Sequence, residues 1–389
     1  PQQAPLAVWS MLESAALLRT KENRKAHSLI SLLTEEAIYG ADFLVRMQDP
    51  DGYFHASVMD GCSHDPAQRE ICGYKGLAHV KHGETRAAFR EGGGMTIAAL
   101  ARVSTLKQSG DYPPERYLAA AEKGFAHLLV HNLEYCDDHR ENILDDYCAL
   151  LAATELYNAT KGGSLSAILS GTAGSRAPSS RGPDYGVTGS SPLHDSGESS
   201  GPGGRSYRDA ATSTEGASEA YLKAARSRAA SLVKRISKDE NYSGWWRADD
   251  ARRPFFHTTD AGLPAVSLLR YLQIEPEAGL RSAALQAVMD SLRFELTITN
   301  EVVNPFGYPR QYVQDLDGTR RGAFFFPHTN ETGFWWQGEN ARLGSLAAAA
   351  LLGSRIATDG KVAAELGTYA RNLVNWILGM NPLDMCMLK

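Results

Sequence analysis

Helical periodicity is the feature that most constrains this chain of 389 residues. Apolar side chains recur every three or four residues, as at Val8, Leu12 and Ala15, which places them on one face of a helix. Strand signals are short and few. The pattern predicts an all-α fold with ten helices, at residues 5–20, 25–48, 92–107, 114–133, 142–158, 217–237, 260–273, 279–299, 338–357 and 359–379.

The predicted helices form pairs that are joined alternately by short and long links. Paired helices stack either into a solenoid or into a ring. Solenoid repeats keep similar residues at a fixed period of about 34 or about 40 residues, and no such period occurs in this chain. A ring of antiparallel helix pairs is therefore the predicted architecture.

Residues 162–215 interrupt the helical pattern, because 28 of these 54 residues are Ser, Gly or Pro. Such a segment cannot bury enough apolar surface to offset the entropy that it would lose on ordering. The predicted organisation is a single helical barrel in two parts, 1–161 and 216–389, with a low-complexity insertion at 162–215 between them.

Composition excludes several classes of function. A net charge of −5, spread along the chain, gives no basic surface for nucleic acid. No apolar run approaches the roughly 18 residues of a membrane-spanning helix. No cofactor or metal site is predicted, and the compartment and oligomeric state stay open. The five cysteines fit neither a disulfide framework nor a zinc pattern: Cys62, Cys72, Cys136, Cys148 and Cys386.

The long links are rich in aromatic, basic and acidic side chains, as in "YSGWWRADDARRPFFHTTDAGLP" at 242–264. Flat rings cover the apolar faces of sugars, while charged and amide groups hold hydroxyls. Each stretch alone is more often structural, but their coincidence on one kind of link favours a carbohydrate cleft. The candidate binding residues are Arg90, Glu91, Trp245, Trp246, His257, Arg310, Tyr312, His328, Trp335, Trp336, Glu339 and Asn340.

Several motifs carry a resemblance to glycoside hydrolase family 9. "EEAIYGADFLVRMQDPDGYFHASV" at 35–58 resembles a helix of that family that runs into a loop. "GFWWQGENARLGSLAAAALLG" at 333–353 is similar to its W-G-S-N helix start, and "VNWILGMNPLDMCML" at 374–388 resembles its Y-I-L-G-x-N-P-L-G segment. "REGGGMTIAALARVS" at 90–104 resembles the branch of exo-glucosaminidases and cellobiose-cleaving enzymes.

The resemblance implies an (α/α)6 barrel of twelve helices with a cleft at one rim. It also implies inverting hydrolysis of β-linked glycans, in which one carboxylate activates water and another protonates the leaving oxygen. The family places the base in a D-A-G-D motif and the acid after the N-P-L-G region. The first motif does not occur here, and the sequence ends at Lys389.

We therefore expect an incomplete barrel, with about ten of the twelve helices and without either catalytic segment. The sequence identifies no residue as the catalytic acid or base. Asp146 lies in a helix start, where acids favour the helix dipole, and Glu331 precedes the N-P-L-G region instead of following it. Both are weak fallbacks, and the chain as given is expected not to hydrolyse glycans.

Three functions stay open at this stage. The first is a glycoside hydrolase fragment related to enzymes acting on β-linked glucan or glucosamine oligosaccharides. The second is a non-catalytic carbohydrate-binding domain. A helical scaffold for protein partners fits the insertion but not the aromatic links. Glucosamine would require an acid opposite its ammonium group, for which Asp249, Glu331 and Glu339 are available.

Overall fold

The computed structural model describes residues 3–19, 26–59, 67, 69–72, 85–161, 214–324, 328–330, 333–335 and 338–388. The predicted insertion at 162–215 lies outside these residues, apart from its last two positions, which begin a helix. One hydrophobic cluster takes buried residues from both sides of the insertion, such as Leu150 and Leu222. The division into two barrel parts and an insertion remains a prediction.

Each of the ten predicted helical segments is a helix, and the predicted ends differ from the observed ones by a few residues. The all-α class is therefore confirmed. The helices are α1 Gln3–Arg19, α2 Ala26–Arg46, α3 Gly93–Val103, α4 Pro114–Tyr135, α5 Ile143–Thr160, α6 Thr214–Val233, α7 Leu263–Tyr271, α8 Ala278–Asn300, α9 Glu339–Ser354 and α10 Gly360–Leu378.

Within the described residues, eight short strands form four antiparallel two-stranded pairs. All of them lie in the links that precede α3, α7 and α9, so they shape loops and add no layer to the fold. The strands are β1 Ser57–Met59, β2 Glu70–Cys72, β3 Ile236–Lys238, β4 Ser243–Trp246, β5 Gln311–Gln314, β6 Arg320–Ala323, β7 His328–Asn330 and β8 Gly333–Trp335.

The helices form an all-α toroid in which inner and outer helices alternate along the chain. Helices α3 and α7 are buried along their whole length and belong to the inner layer. The inner helices run in one direction, because Gly94 near the start of α3 lies against Cys148 near the start of α5. Likewise, Gly262 just before α7 donates its N–H to Ser345 in the first turns of α9 at 3.1 Å.

This common direction gives the toroid two different rims. The N-terminal rim is the end where the inner helices start, at Gly93, Ile143, Leu263 and Glu339. The C-terminal rim is the opposite end, where these helices finish. The strand-bearing links before α3, α7 and α9 lie at the N-terminal rim, and short links such as 104–113, 272–277 and 355–359 lie at the C-terminal rim.

The row of described helices is open on one side. Helix α1 packs on α2 and α3, whereas α9 and α10 pack on each other and on α8. Among the described helices, no comparably extensive packing joins α1 to α9 or α10. Among the described helices, the inner layer is therefore loosely closed between α1 and α9.

A buried network of charges joins the C-terminal halves of four inner helices. Glu155 of α5 accepts hydrogen bonds from Arg102 of α3 at 3.1 Å and from Arg270 of α7 at 3.2 Å. Trp9 of α1 donates to the same carboxylate at 2.9 Å, and Arg102 also donates to Glu13 at 2.5 Å. Burial opposes ionisation of Glu155, but the guanidinium groups of Arg270 and Arg102 outweigh it and keep the pKa of Glu155 below its usual range.

Candidate functional site

The turn that precedes α3 holds two of the candidate residues. Gly92 adopts a φ of 109°, a left-handed conformation that glycine permits, and it turns the chain from Arg90 and Glu91 into the helix. Arg90 donates to Asp138 at 2.7 Å and approaches Asp145 at 3.7 Å, so it fixes the 136–142 link against α5. Arg90 thus acts through contacts with its own chain.

Glu91 is half-buried at the N-terminal rim, and its ionisation is perturbed. Burial raises the pKa of Glu91 to about 7, the backbone amide of Ala88 offsets part of that rise, and Asp137 adds to it. A carboxyl group with this pKa is partly protonated at neutral pH, so it can either donate or accept a hydrogen bond.

The two acids of the first turn of α5 are both engaged in structural contacts. Asp145 forms a capping box with Asn142. The backbone N–H of Asn142 donates to the carboxylate of Asp145 at 3.0 Å, and the side-chain oxygen of Asn142 accepts from the backbone N–H of Leu144 at 2.8 Å. Asp146 is buried and accepts from Ser231 at 2.8 Å and from Arg235 at 2.6 Å. Asp146, the fallback catalytic residue, therefore anchors α6.

His257 lies in the link before α7, with 27% of its side chain exposed. Its Nδ1 accepts hydrogen bonds from the backbone N–H groups of Thr259 at 3.3 Å and Asp260 at 3.1 Å. A ring nitrogen that accepts carries no proton, so the proton of the neutral imidazole is on Nε2. Burial lowers the pKa of His257, which keeps the ring neutral at neutral pH. His257 therefore offers one N–H donor of fixed tautomer.

The loop around His257 is tied to the inner helices. Asp260 accepts hydrogen bonds from Tyr147 of α5 at 2.6 Å and from Thr259 at 2.6 Å. The ring of Phe255 stacks on that of His257 with centroids 6.1 Å apart, and it meets Tyr147 edge to face. The position of His257 is thus set by α5 and by the start of α7.

Three aromatic candidates, Trp245, Trp246 and Tyr312, are buried beneath the links and do not form an exposed surface. Trp245 is 1% exposed and Trp246 is 7% exposed, so neither ring is open to solvent. Trp245 and Tyr312 form a small hydrophobic cluster with two residues of α8. Tyr312 donates its hydroxyl proton to Asp239 at 2.7 Å. Stacking of a sugar on Trp245 or Trp246 would require these links to move.

Arg310 joins the end of α8 to the β5–β6 hairpin. Its guanidinium donates to the carbonyl oxygens of Ile298 at 3.0 Å and Gly322 at 2.8 Å, and it pairs with Glu301. These contacts use most of its donors within the chain.

The start of α9 carries the candidates Glu339 and Asn340. Glu339 forms an ion pair with Arg342 at 2.7 Å and accepts the hydroxyl proton of Tyr308. Asn340 donates to the carbonyl oxygen of Met387 at 2.9 Å, which ties the 379–388 segment to the rim. Both side chains are therefore engaged in structural contacts before any ligand arrives.

Four of the predicted residues are described partly or not at all. Glu331 and Trp336 lie outside the described residues. The backbones of His328 and Trp335 pair across the β7–β8 hairpin, in the link that leads into α9, and their side chains are not described.

The described candidates thus lie at one rim, in links or at the start of α9, but do not form one cluster. Arg90, Glu91 and His257 lie around the start of α5, while Trp245, Arg310 and Tyr312 support a neighbouring hairpin group. The predicted residues do not include Phe255, Tyr147 and Asp260, which fix His257, or Arg342. The last of these had a signal, since it follows Glu339 by three residues on a helix.

Within the described ranges, no group of three or more His, Cys, Asp or Glu side chains is arranged to hold a metal ion. The same ranges contain no helix long and apolar enough to cross a membrane.

Fold and rim together define a class: an all-α toroid of helix pairs, with strand-bearing links at the end where the inner helices start. A solved structure similar to this chain is the cellulase Cel9M of C. cellulolyticum, with a TM-score of 0.51 and 13% sequence identity. The match covers 98% of this chain, which spans 66% of the length of that cellulase chain. No protein-family model and no curated protein matches the sequence. At this identity the similarity establishes the fold and leaves the activity open.

Proposed function

We propose that the N-terminal rim binds β-linked glucan or glucosamine oligosaccharides, in a domain of the glycoside hydrolase family 9 type. The observation that carries this proposal is His257, whose Nε2–H donor has a fixed tautomer and whose ring stacks on Phe255 at this rim. The fold similarity to a cellulase and the family 9 motifs of the sequence support it.

The chemistry of the rim suits a sugar. A hydroxyl oxygen accepts from a preorganised N–H at little entropic cost, because the ring of His257 is already held in place. Phe255 adds an apolar surface, and Glu91 can exchange a hydrogen bond with a hydroxyl group in either protonation state. These three side chains are the proposed contacts.

Binding is tested by calorimetric titration of the purified chain with cello-oligosaccharides and with chitosan oligomers. His257→Ala should weaken binding about five- to tenfold, the effect of one neutral hydrogen bond worth about 1 kcal/mol. The matched control is His27→Ala at the start of α2, on the C-terminal rim, which should leave the affinity unchanged. Equal affinities of the two variants would remove His257 from the site.

We further propose that this chain binds such glycans without hydrolysing them. Inverting hydrolysis requires one carboxylate as acid and another as base. At the described rim, Asp145, Asp146 and Glu339 are each held by arginine or by a helix cap, so none is available to activate water. Incubation with either class of oligosaccharide should release no more reducing ends than a blank.

Hydrolysis is the second candidate, and Glu91 favours it. A half-buried carboxyl group with a pKa of about 7 has the protonation state of a general acid at neutral pH. Release of reducing ends that Glu91→Gln abolishes, and that Glu365→Gln on the exposed face of α10 preserves, would establish this candidate. It would overturn the non-catalytic proposal.

A further inference from the structure

A cavity of about 730 Å³ opens at the C-terminal rim, away from the proposed carbohydrate site. Helices α1, α7, α8 and α9 surround it, in the part of the toroid where α1 and α9 lack extensive packing. Small-molecule sites typically occupy roughly 300–1,000 Å³ and have mostly apolar walls. This cavity fits both criteria, since its walls include Leu17, Leu269, Leu285, Leu352 and Ile356.

The charges at the inner end of the cavity are already paired. Glu13 accepts from Arg102 at 2.5 Å and lies 3.6 Å from Arg270. Arg270 in turn donates to Gln273 at 2.8 Å and to Glu155. The charged groups at the inner end of the cavity therefore neutralise one another and do not require a ligand.

Two further arginines lining the cavity are not neutralised in this way. Arg281, in the first turn of α8, donates to the carbonyl oxygens of Leu272 and Glu275, which positions its guanidinium without an ion pair. Arg355, at the end of α9, is exposed, and its side chain has no hydrogen bond or ion pair with the described residues. Glu13 is the single acid among the described lining residues, and Arg102 already pairs with it.

We propose that this cavity binds an amphiphile with one carboxylate and an alkyl body. The carboxylate would pair with Arg281 and Arg355, whose guanidinium groups match such an anion in charge and geometry. The alkyl body would lie between the leucines of α1, α8 and α9. This site is separate from the N-terminal rim and does not depend on the function proposed there.

The test uses three probes that divide the ligand into its parts. Octanoate carries both head and chain, octanol keeps the chain without the charge, and acetate keeps the head alone. Calorimetry and chemical shifts of the leucine methyl groups should show that octanoate binds most tightly, octanol more weakly and acetate not measurably. Octanol binding as tight as octanoate, or acetate binding as tight as octanoate, would overturn the proposal.

Variants locate the site. Arg355→Gln removes one exposed charge, so it should lower octanoate affinity about three- to tenfold and leave octanol affinity unchanged. Arg293→Gln, an exposed arginine of α8 that does not line the cavity, is the matched control. Leu285→Trp should fill the cavity and weaken both alkyl probes. If Arg355→Gln binds octanoate as tightly as Arg293→Gln does, Arg355 does not bind the carboxylate and the proposal is overturned.

Discussion

The two rims of the toroid use the same types of side chain in different ways. At the N-terminal rim, ion pairs of arginines with acids hold the links and the helix termini in place: Arg90 with Asp138, Arg310 with Glu301 and Arg342 with Glu339. At the C-terminal half of the inner layer, Arg102 and Arg270 share the buried carboxylate of Glu155. The first set shapes a surface, and the second holds helices together.

The direction of the inner helices explains this difference. Helix starts leave backbone N–H groups unsatisfied, so acids gather there as caps and the links must carry polar residues. The C-terminal halves of α3, α5 and α7 pack against one another in the interior, where a charge remains only if it is paired. The toroid therefore separates a polar rim suited to hydroxyl groups from a second rim that surrounds a cavity with mostly apolar walls.

The largest expected effect comes from breaking the buried network. Glu155→Gln leaves Arg102 and Arg270 without their shared anion, which should lower the free energy of unfolding by about 3 kcal/mol or more. Urea denaturation measures this loss, with the exposed Glu365→Gln as control. Because the pKa of Glu155 is lowered in the fold, its contribution is complete above the unfolded pKa of about 4.3 and is lost as the pH falls through the folded value. A loss as small as that of the control would contradict the structural role of the network.

A smaller loss is expected at the N-terminal rim. Asp146→Asn keeps one acceptor for Ser231 but removes the charge that pairs with Arg235, so unfolding should become easier by about 2–3 kcal/mol. Asp138 is an exposed partner of Arg90, so Asp138→Asn should lower the free energy of unfolding by less than about 1 kcal/mol. Equal costs in denaturant titrations would show that burial does not distinguish these two acids.

Glu91 should make stability at this rim depend on pH. Its pKa is about 7 in the fold and about 4.3 when unfolded, so the folded chain binds the extra proton between these values. Stability contributed by Glu91 is therefore present at low pH and declines as pH rises towards 7. The free energy of unfolding of Glu91→Gln, relative to that of the parent chain, should therefore be higher at about pH 8 than at about pH 5. Denaturant titrations of both proteins at these two pH values measure the difference. A constant difference between the two proteins would mean that Glu91 titrates normally.

The smallest expected effect is coupling between the rims. The proposed sites lie at opposite ends of rigid inner helices and share no side chain. Saturation with octanoate should therefore change the affinity for cello-oligosaccharides by less than about twofold. A larger change in paired titrations would show that the two rims respond to one conformational equilibrium.

The fold was predictable because the helices carry strong local signals. All ten segments show apolar spacing of three or four residues, and Asn142 at the start of α5 caps the helix with its side chain, as its residue type predicts. The short strands escaped prediction, because two-stranded hairpins of three or four residues depend on contacts within each link. Periodicity also shows which face of a helix is buried but not which side chains it contacts, so individual contacts such as Trp9 with Glu155 escaped prediction.

The site was harder to predict for a physical reason. Aromatic and charged residues in a link bind ligands in some structures and support the link in others, and only burial distinguishes the two. Trp245 and Trp246 are buried, and Glu339 is paired with Arg342, whereas His257 is partly exposed with its tautomer fixed. The backbone N–H groups that fix His257 come from Thr259 and Asp260, which no residue-type pattern marks as important.

The close approach of the inner helices bears on how such a domain can be re-engineered. A side chain at Gly94 would place its Cβ 2.8 Å from that of Cys148, and one at Gly262 would collide with the backbone of Ser345. Gly94 therefore sets the separation of α3 and α5 at the rim, and Gly262 sets that of α7 and α9. Grafts into the links should therefore keep both glycines, and in the link before α7 they should also keep the buried Trp245, Trp246 and Asp260. Substituting either glycine should move apart the two helices that meet at it.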